Sequence, residues 1–122
     1  MLRYTPLSSP SAIRLLSWNG TSYILQDADL DDGPEYEALS YCWSLGDGND
    51  EGGHIICDGQ QLKVMANLRD GLERLRAAGR FGPVWIDAVC INQDDLPERG
   101  AQVEMMDRIF GSAKAVIVWL GK

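Results

Sequence analysis

Apolar residues in this chain fall into several short runs rather than one long one. Residues 84–91 (VWIDAVCI) hold seven apolar positions around a single carboxylate, Asp87, and then break into Asn92-Gln93-Asp94-Asp95. The run is brief and rich in β-branched and aromatic residues. It therefore predicts a strand covered on both faces, as in parallel sheets flanked by helices. Residues 115–120 (AVIVWL) repeat the pattern and predict a second buried strand. Between the two, Asp94 or Asp95 can cap a helix with Pro97 in its first turn. Val103, Met106, Ile109 and Phe110 then form the expected buried stripe, and Gly111-Ser112 ends it. Strand, helix and strand over 84–120 predict a right-handed βαβ unit.

The earlier part of the chain alternates more and turns more often. Two apolar runs, 12–18 and 21–26, flank Asn19-Gly20, and a second pair, 54–57 and 61–64, flanks Asp58-Gly59. Both dipeptides tolerate positive φ, so each pair predicts a β-hairpin. Residues 37–42 (EALSYC) predict a short strand. Asn67 is the expected cap of a helix with Asp70 echoing a capping box, Leu68, Leu72 and Leu75 facing inward and Gly79 closing it. Gly82-Pro83 leads into the central strand. The acidic stretch 27–35 does not fit a calcium loop, because Asp32 stands where glycine is needed and Ala38 where glutamate is. It is expected to be a solvated loop. The Gly- and acid-rich stretch 46–53 lacks the third glycine of a nucleotide cradle, and its carboxylates would repel phosphate.

Composition narrows the function. A chain of 122 residues predicts one domain. A net charge of −7 argues against nucleic-acid binding and against an anionic membrane surface. No apolar stretch approaches the roughly 20 residues of a membrane span. The N-terminus lacks the apolar core of a signal peptide, and three scattered cysteines suit a reducing compartment, so a cytoplasmic protein is expected. His54, Cys42, Cys57 and Cys90 contain no CxxC pair, and no metal site is expected.

Ligands of open α/β sheets bind at the carboxyl ends of the strands. If residues 37–42 run parallel to the two buried strands, Tyr41, Trp43 and Ser44 share a rim with Asn92 and Gln93. Arg99, in the following helix, can reach the same rim. These six are the candidate ligand contacts, with Trp43 equally readable as a core plug and Asn92 and Gln93 as turn residues. Asp87 within an apolar run needs a partner: either a structural one, such as Arg99 or backbone amides, or a ligand. Cys90 reads as a packed thiol or as a nucleophile with His54 as base.

Three segments are recognisable together. YEALSYCW (36–43), VWIDAVCINQDD with Glu98-Arg99 following, and QVEMMDRIFGSAKAVIVWLG (102–121) resemble the three blocks of the fungal heterokaryon incompatibility (HET) domain. The resemblance implies a role in non-self recognition and regulated cell death, through self-association or another cell-death signalling protein. The HET family is itself remotely similar to TIR domains. That implies a flavodoxin-like α/β fold with a partly parallel sheet and flanking helices over 37–121, joined to hairpins at 12–26 and in the centre. Some TIR domains cleave NAD, with a key glutamate on a helix after the third parallel strand, so NAD is the implied substrate or ligand. This sequence ends at Lys122, before such a helix, and the expectation is a truncated domain whose catalytic glutamate lies beyond it. Within it, Asp87 and Glu98 are the carboxylates that could stand in near an oxocarbenium charge.

Overall fold

The computed structural model describes residues 4, 6–7, 9–41, 53–64, 66–79 and 82–119. The chain builds a mixed α/β structure on one seven-stranded sheet. The elements run β1 (Ala12–Trp18), β2 (Tyr23–Asp29), β3 (Glu37–Tyr41), β4 (Gly53–Cys57), β5 (Gln60–Val64), α1 (Ala66–Ala77), β6 (Val84–Trp85), α2 (Asp87–Cys90), α3 (Leu96–Glu104), α4 (Met106–Ser112) and β7 (Ala115–Trp119). A 3-10 turn, Leu30–Asp32, follows β2. The strand order is β5-β4-β2-β1-β6-β3-β7.

Both hairpins form. β1 and β2 pair antiparallel from Ala12↔Asp29 to Trp18↔Tyr23. Their loop spans four residues rather than two. The Asn19 side chain accepts from the backbone N–H of Thr21 and of Ser22, an Asx turn that the Asn-Gly signal alone does not specify. β4 and β5 are joined by Asp58 and Gly59, both at positive φ, as a tight primed turn requires. Residues 27–29 belong to β2, so the acidic stretch is partly strand. Asp29 then caps the 3-10 turn and accepts hydrogen bonds from Ser9 and Ser11.

β3 runs parallel to both β6 and β7, so the two strands expected to be co-directional are, and the condition placed on residues 37–42 is met. Their arrangement differs from the expectation in two respects. β3 lies between β6 and β7, so those two strands are not neighbours. The central run is also strand only at Val84 and Trp85. From Asp87 to Cys90 it coils into one helical turn, with the Ile86 carbonyl accepting from the N–H of Val89 and of Cys90. An apolar run of this length does not distinguish buried strand from buried helix by periodicity. A carboxylate in the first turn of a helix is also better placed than one inside a sheet.

Other boundaries shift for similar reasons. Ala66 precedes Asn67 in α1, so Asn67 falls in the first turn and not at the cap. The single helix expected after Asp95 is two, broken at Met105, where φ −93° and ψ 0° interrupt the ladder. Ile109 is buried and Met106 and Phe110 pack against the core, but Val103 is exposed and Gln102 takes the inward position. Strand β7 was expected to be covered on both faces, yet Val116 is 48% and Val118 62% exposed. Among the described residues it pairs only with β3 and stands at the sheet margin. The strand with the longest buried stretch is instead β1, where Ala12 to Leu16 are all buried and Ser17 and Trp18 partly so. Trp85, Tyr36, Ile13, Leu16, Leu39 and Leu68 are the largest fully buried side chains, and Trp85 meets Phe110 edge-on at 5.5 Å.

Candidate functional site

The carboxyl end of β6 is organised by an arginine from inside β1. Arg14 interrupts the apolar run AIRLLSW and is 2% exposed. Its guanidinium grips Glu98 with both prongs, Nη1 to Oε2 at 2.6 Å and Nη2 to Oε1 at 2.7 Å. This two-pronged geometry is the strongest pairing available to arginine and a carboxylate. Nη1 also donates to the Cys90 carbonyl at 3.1 Å, and the Tyr4 ring covers the guanidinium at 4.9 Å. Tyr4 in turn donates its hydroxyl to the Val89 carbonyl at 2.7 Å.

Glu98 reaches this position from α3. Asp95 caps that helix by accepting the Glu98 N–H, and Pro97 fits the first turn, where no N–H is needed. The Glu98 carboxylate then accepts the backbone N–H of Asn92 at 2.7 Å. Burial alone would raise the Glu98 carboxyl, but Arg14 and the Asn92 amide hold it below the usual carboxylate range. Arg14 responds in the opposite sense: burial opposes its charge, and Glu98 outweighs that and raises it. One helical turn after Glu98, Gln102 donates to the Ala12 carbonyl at 3.1 Å. One loop is thus fastened between α2, α3 and β1.

The residues expected to line the rim fare differently. Trp43 and Ser44 lie outside the described residues, as does the side chain of Tyr41, whose backbone ends β3. Asn92 and Gln93 do come to the end of the central strand. Asn92 accepts from the Asp94 N–H through its Oδ1, and Gln93 donates to the Asp87 carbonyl at 2.8 Å. Both therefore shape the turn. Arg99 is exposed, and the partner expected of it at Asp87 does not form; Arg14 occupies the inner position instead. Asp87 is half-buried at the start of α2. Burial raises its carboxyl, tempered by the amides of Ala88 and Asp87 itself. The Cys90 thiol is fully buried and pushed up to about 12, mainly by burial, which removes the nucleophile reading. Sequence reasoning missed Arg14, although a lone charge flanked by Ala12-Ile13 and Leu15-Leu16 was the available signal.

A second concave region lies at the other end of β1, under the tip of the first hairpin. It measures about 200 Å³ and is lined by Trp18, Thr21, Ser22, Tyr23, Ile55, Ile56, Arg69, Glu73 and Arg76. Arg69, Glu73 and Arg76 recur on one face of α1, as their spacing dictates. The Arg76 guanidinium stacks on Trp18 at 4.4 Å, and Trp18 meets Tyr23 edge-on at 5.0 Å. Tyr23 is 7% exposed, and its hydroxyl lies against the Arg76 guanidinium. Burial raises this phenol, and the nearby Arg76 charge only offsets part of that. The Arg69 Nε is also buried without a partner.

The heterokaryon incompatibility protein (HET) family matches residues 36–122. The chain belongs to the HET family. It is similar to heterokaryon incompatibility protein 6, OR allele, of Neurospora crassa, at 36% identity over 137 aligned positions. That alignment covers 94% of this chain and 20% of the relative, so the chain spans about a fifth of the length of the curated relative it matches. No solved structure matches. The matched HET segment begins after the first hairpin. The Arg14–Glu98 pair therefore joins the HET-matched region to a strand that precedes it, and the Trp18 groove likewise has one wall on each side of residue 36. No helix of the described residues is long and apolar enough to cross a membrane.

Proposed function

We propose that this HET chain is a signalling module of a fungal incompatibility protein, acting in non-self recognition and regulated cell death in the cytoplasm. It works by assembling with further copies of itself, on a sheet whose parallel strands β3, β6 and β7 give it a TIR-like centre. Its named relative is a heterokaryon incompatibility protein, which supports the incompatibility role. The observation that carries the non-enzymatic reading is the Arg14–Glu98 pair. The carboxylate best placed on the rim is held by two charged hydrogen bonds and a backbone amide, so it fastens a loop and is not open to substrate. The assembly surface is the outer face of β7, where Val116 and Val118 are exposed and the strand is unpaired on one side among the described residues.

Light scattering across a concentration series tests this. Association that rises with concentration and is abolished by Val116→Lys with Val118→Lys is the expected result. A monomer at every concentration overturns it.

A second reading has one observation in its favour. Asp87 sits half-buried at the carboxyl end of the central strand, with its carboxyl raised, where a sugar hydroxyl of NAD would be bound. In this reading the chain contributes to NAD cleavage, with the catalytic glutamate supplied from outside residues 1–122. Incubating this chain and a longer protein with NAD, and measuring nicotinamide, separates the two. Release that Asp87→Asn lowers favours the enzyme, and no release from either removes it.

A further inference from the structure

We propose that the groove between the first hairpin and α1 is a binding site for a small aromatic anion, with its carboxylate or phosphate held between Arg69 and Arg76. This site is separate from the carboxyl rim and does not depend on the reading of β7.

Three observations converge on it. The first is charge. Two arginines and one glutamate face a single concavity on a chain of net charge −7. Neither guanidinium forms an ion pair with a described residue, although 18 acidic residues are available to the chain. The second is preorganisation. Trp18 holds Arg76 by its flat face, which orients the guanidinium so that its edge can meet a planar or tetrahedral anion. The third is an unsatisfied polar group. The Arg69 Nε is buried without a hydrogen bond, whereas the Tyr23 hydroxyl, also in the groove wall, lies against the Arg76 guanidinium. Buried polar groups in folded proteins are ordinarily paired, so an orphaned guanidinium nitrogen in a charged concavity points to a ligand that completes it.

The walls define the rest of the ligand. Ile55 and Ile56 on β4 supply an apolar side, and Tyr23 an aromatic one. Thr21 and Ser22 add hydroxyls at the hairpin tip. A space of about 200 Å³ is smaller than a drug-sized pocket and takes one ring with one anionic group.

The test uses the whole chain, isotopically labelled, and follows the Trp18 indole N–H and the amides of Thr21 and Ser22 by NMR. Phenyl phosphate and benzoate are the probes. Inorganic phosphate, an anion without a ring, and benzamide, a ring without charge, are the controls. Saturable shifts at these signals with at least one ring-bearing anion are expected, at least about tenfold tighter than with either control. Comparing the two probes tells phosphate from carboxylate. Arg69→Gln should weaken binding by about tenfold, and Glu73→Gln should tighten it by removing the competing carboxylate. Arg76→Gln should weaken it as well. Because Arg76 also supports Trp18, its circular dichroism is compared with that of the parent chain, and Arg69→Gln and Glu73→Gln decide the matter if it unfolds. No saturable shift with either probe, equal binding of benzamide or inorganic phosphate, or unchanged affinity in Arg69→Gln overturns the proposal.

Discussion

Arg14 on β1 and Glu98 on α3 are 84 positions apart in sequence and 2.6 Å apart in space. Each is nearly inaccessible, with side-chain exposures of 3% and 9%. A charge pair so deeply buried is expensive to break from one side only. Arg14→Met should destabilise the fold by about 3–5 kcal/mol, because Glu98 is left charged and buried. The double change Arg14→Met with Glu98→Leu should recover most of that loss, since a pair of apolar side chains of similar size often replaces a buried ion pair at little cost. Urea unfolding of the single and double variants measures both numbers. Equal loss in the two would mean that the pair does not act as a unit.

Acid should unfold the protein through the same pair. The Glu98 carboxyl is held below its ordinary value of about 4.3, so in that range the unfolded chain binds more protons than the folded one. Its stabilisation is complete above about pH 4.3 and is lost as pH falls through the folded value. Asp87 acts in the opposite sense. Its folded carboxyl is raised, so stability declines as pH climbs from about 3.9 through that raised value. Asp87→Asn should therefore flatten the decline on the neutral side, and Glu98→Gln the loss on the acid side. Thermal midpoints between pH 3 and 8, on the scale of the whole titration range from about 3 to 8 where carboxylates and histidine change charge, show both.

Gly82 tolerates no side chain. Its φ is +95°, and a Cβ there would stand 2.6 Å from the Leu16 carbonyl oxygen. The Ser17 Cα is next at 3.1 Å; both are backbone atoms where β6 enters the sheet beside β1, so neither can move freely. Gly82→Ala should cost more than about 1 kcal/mol, read as a lower urea midpoint at an unchanged slope. Gly100→Ala, in an open helical position, is the control and should be neutral or stabilising.

The two described cysteines should be silent in the folded state. Burial pushes the thiols of both Cys57 and Cys90 up to about 12, leaving almost no thiolate at neutral pH. In a Cys42→Ser background, Ellman's reagent should label neither in native buffer and both in denaturant. Labelling of one thiol in native buffer would show that its part of the sheet opens.

Much of this architecture was legible in the order of residues. Asn-Gly and Asp-Gly announced both hairpins because few other dipeptides accept positive φ, and Leu68, Leu72 and Leu75 announced α1 through helical spacing. The co-direction of β6 and β7 followed from two apolar runs joined by a helical segment, whereas that of β3 was only a condition until the structure placed it parallel to both. The candidate site was less legible. Asn92 and Gln93 arrive where strand ends were expected, but they hold a turn, and the arginine that organises the rim comes from β1 rather than from the adjacent Arg99. Sequence spacing reports neighbours along one element, and Arg14 and Glu98 meet only because β1 lies against β6.

What the sequence determined by itself is therefore local: where the chain turns, which faces of a helix are apolar, and which blocks mark it as a HET chain. Tertiary structure decided the rest. It cut the central run to two strand residues and coiled Asp87–Cys90, inserted β3 between β6 and β7, and left one face of β7 in solvent. The reason is that burial is a property of neighbours. A run such as AVIVWL carries the same apolar side chains whether a helix covers it or not, and only the packed arrangement says which of them is covered.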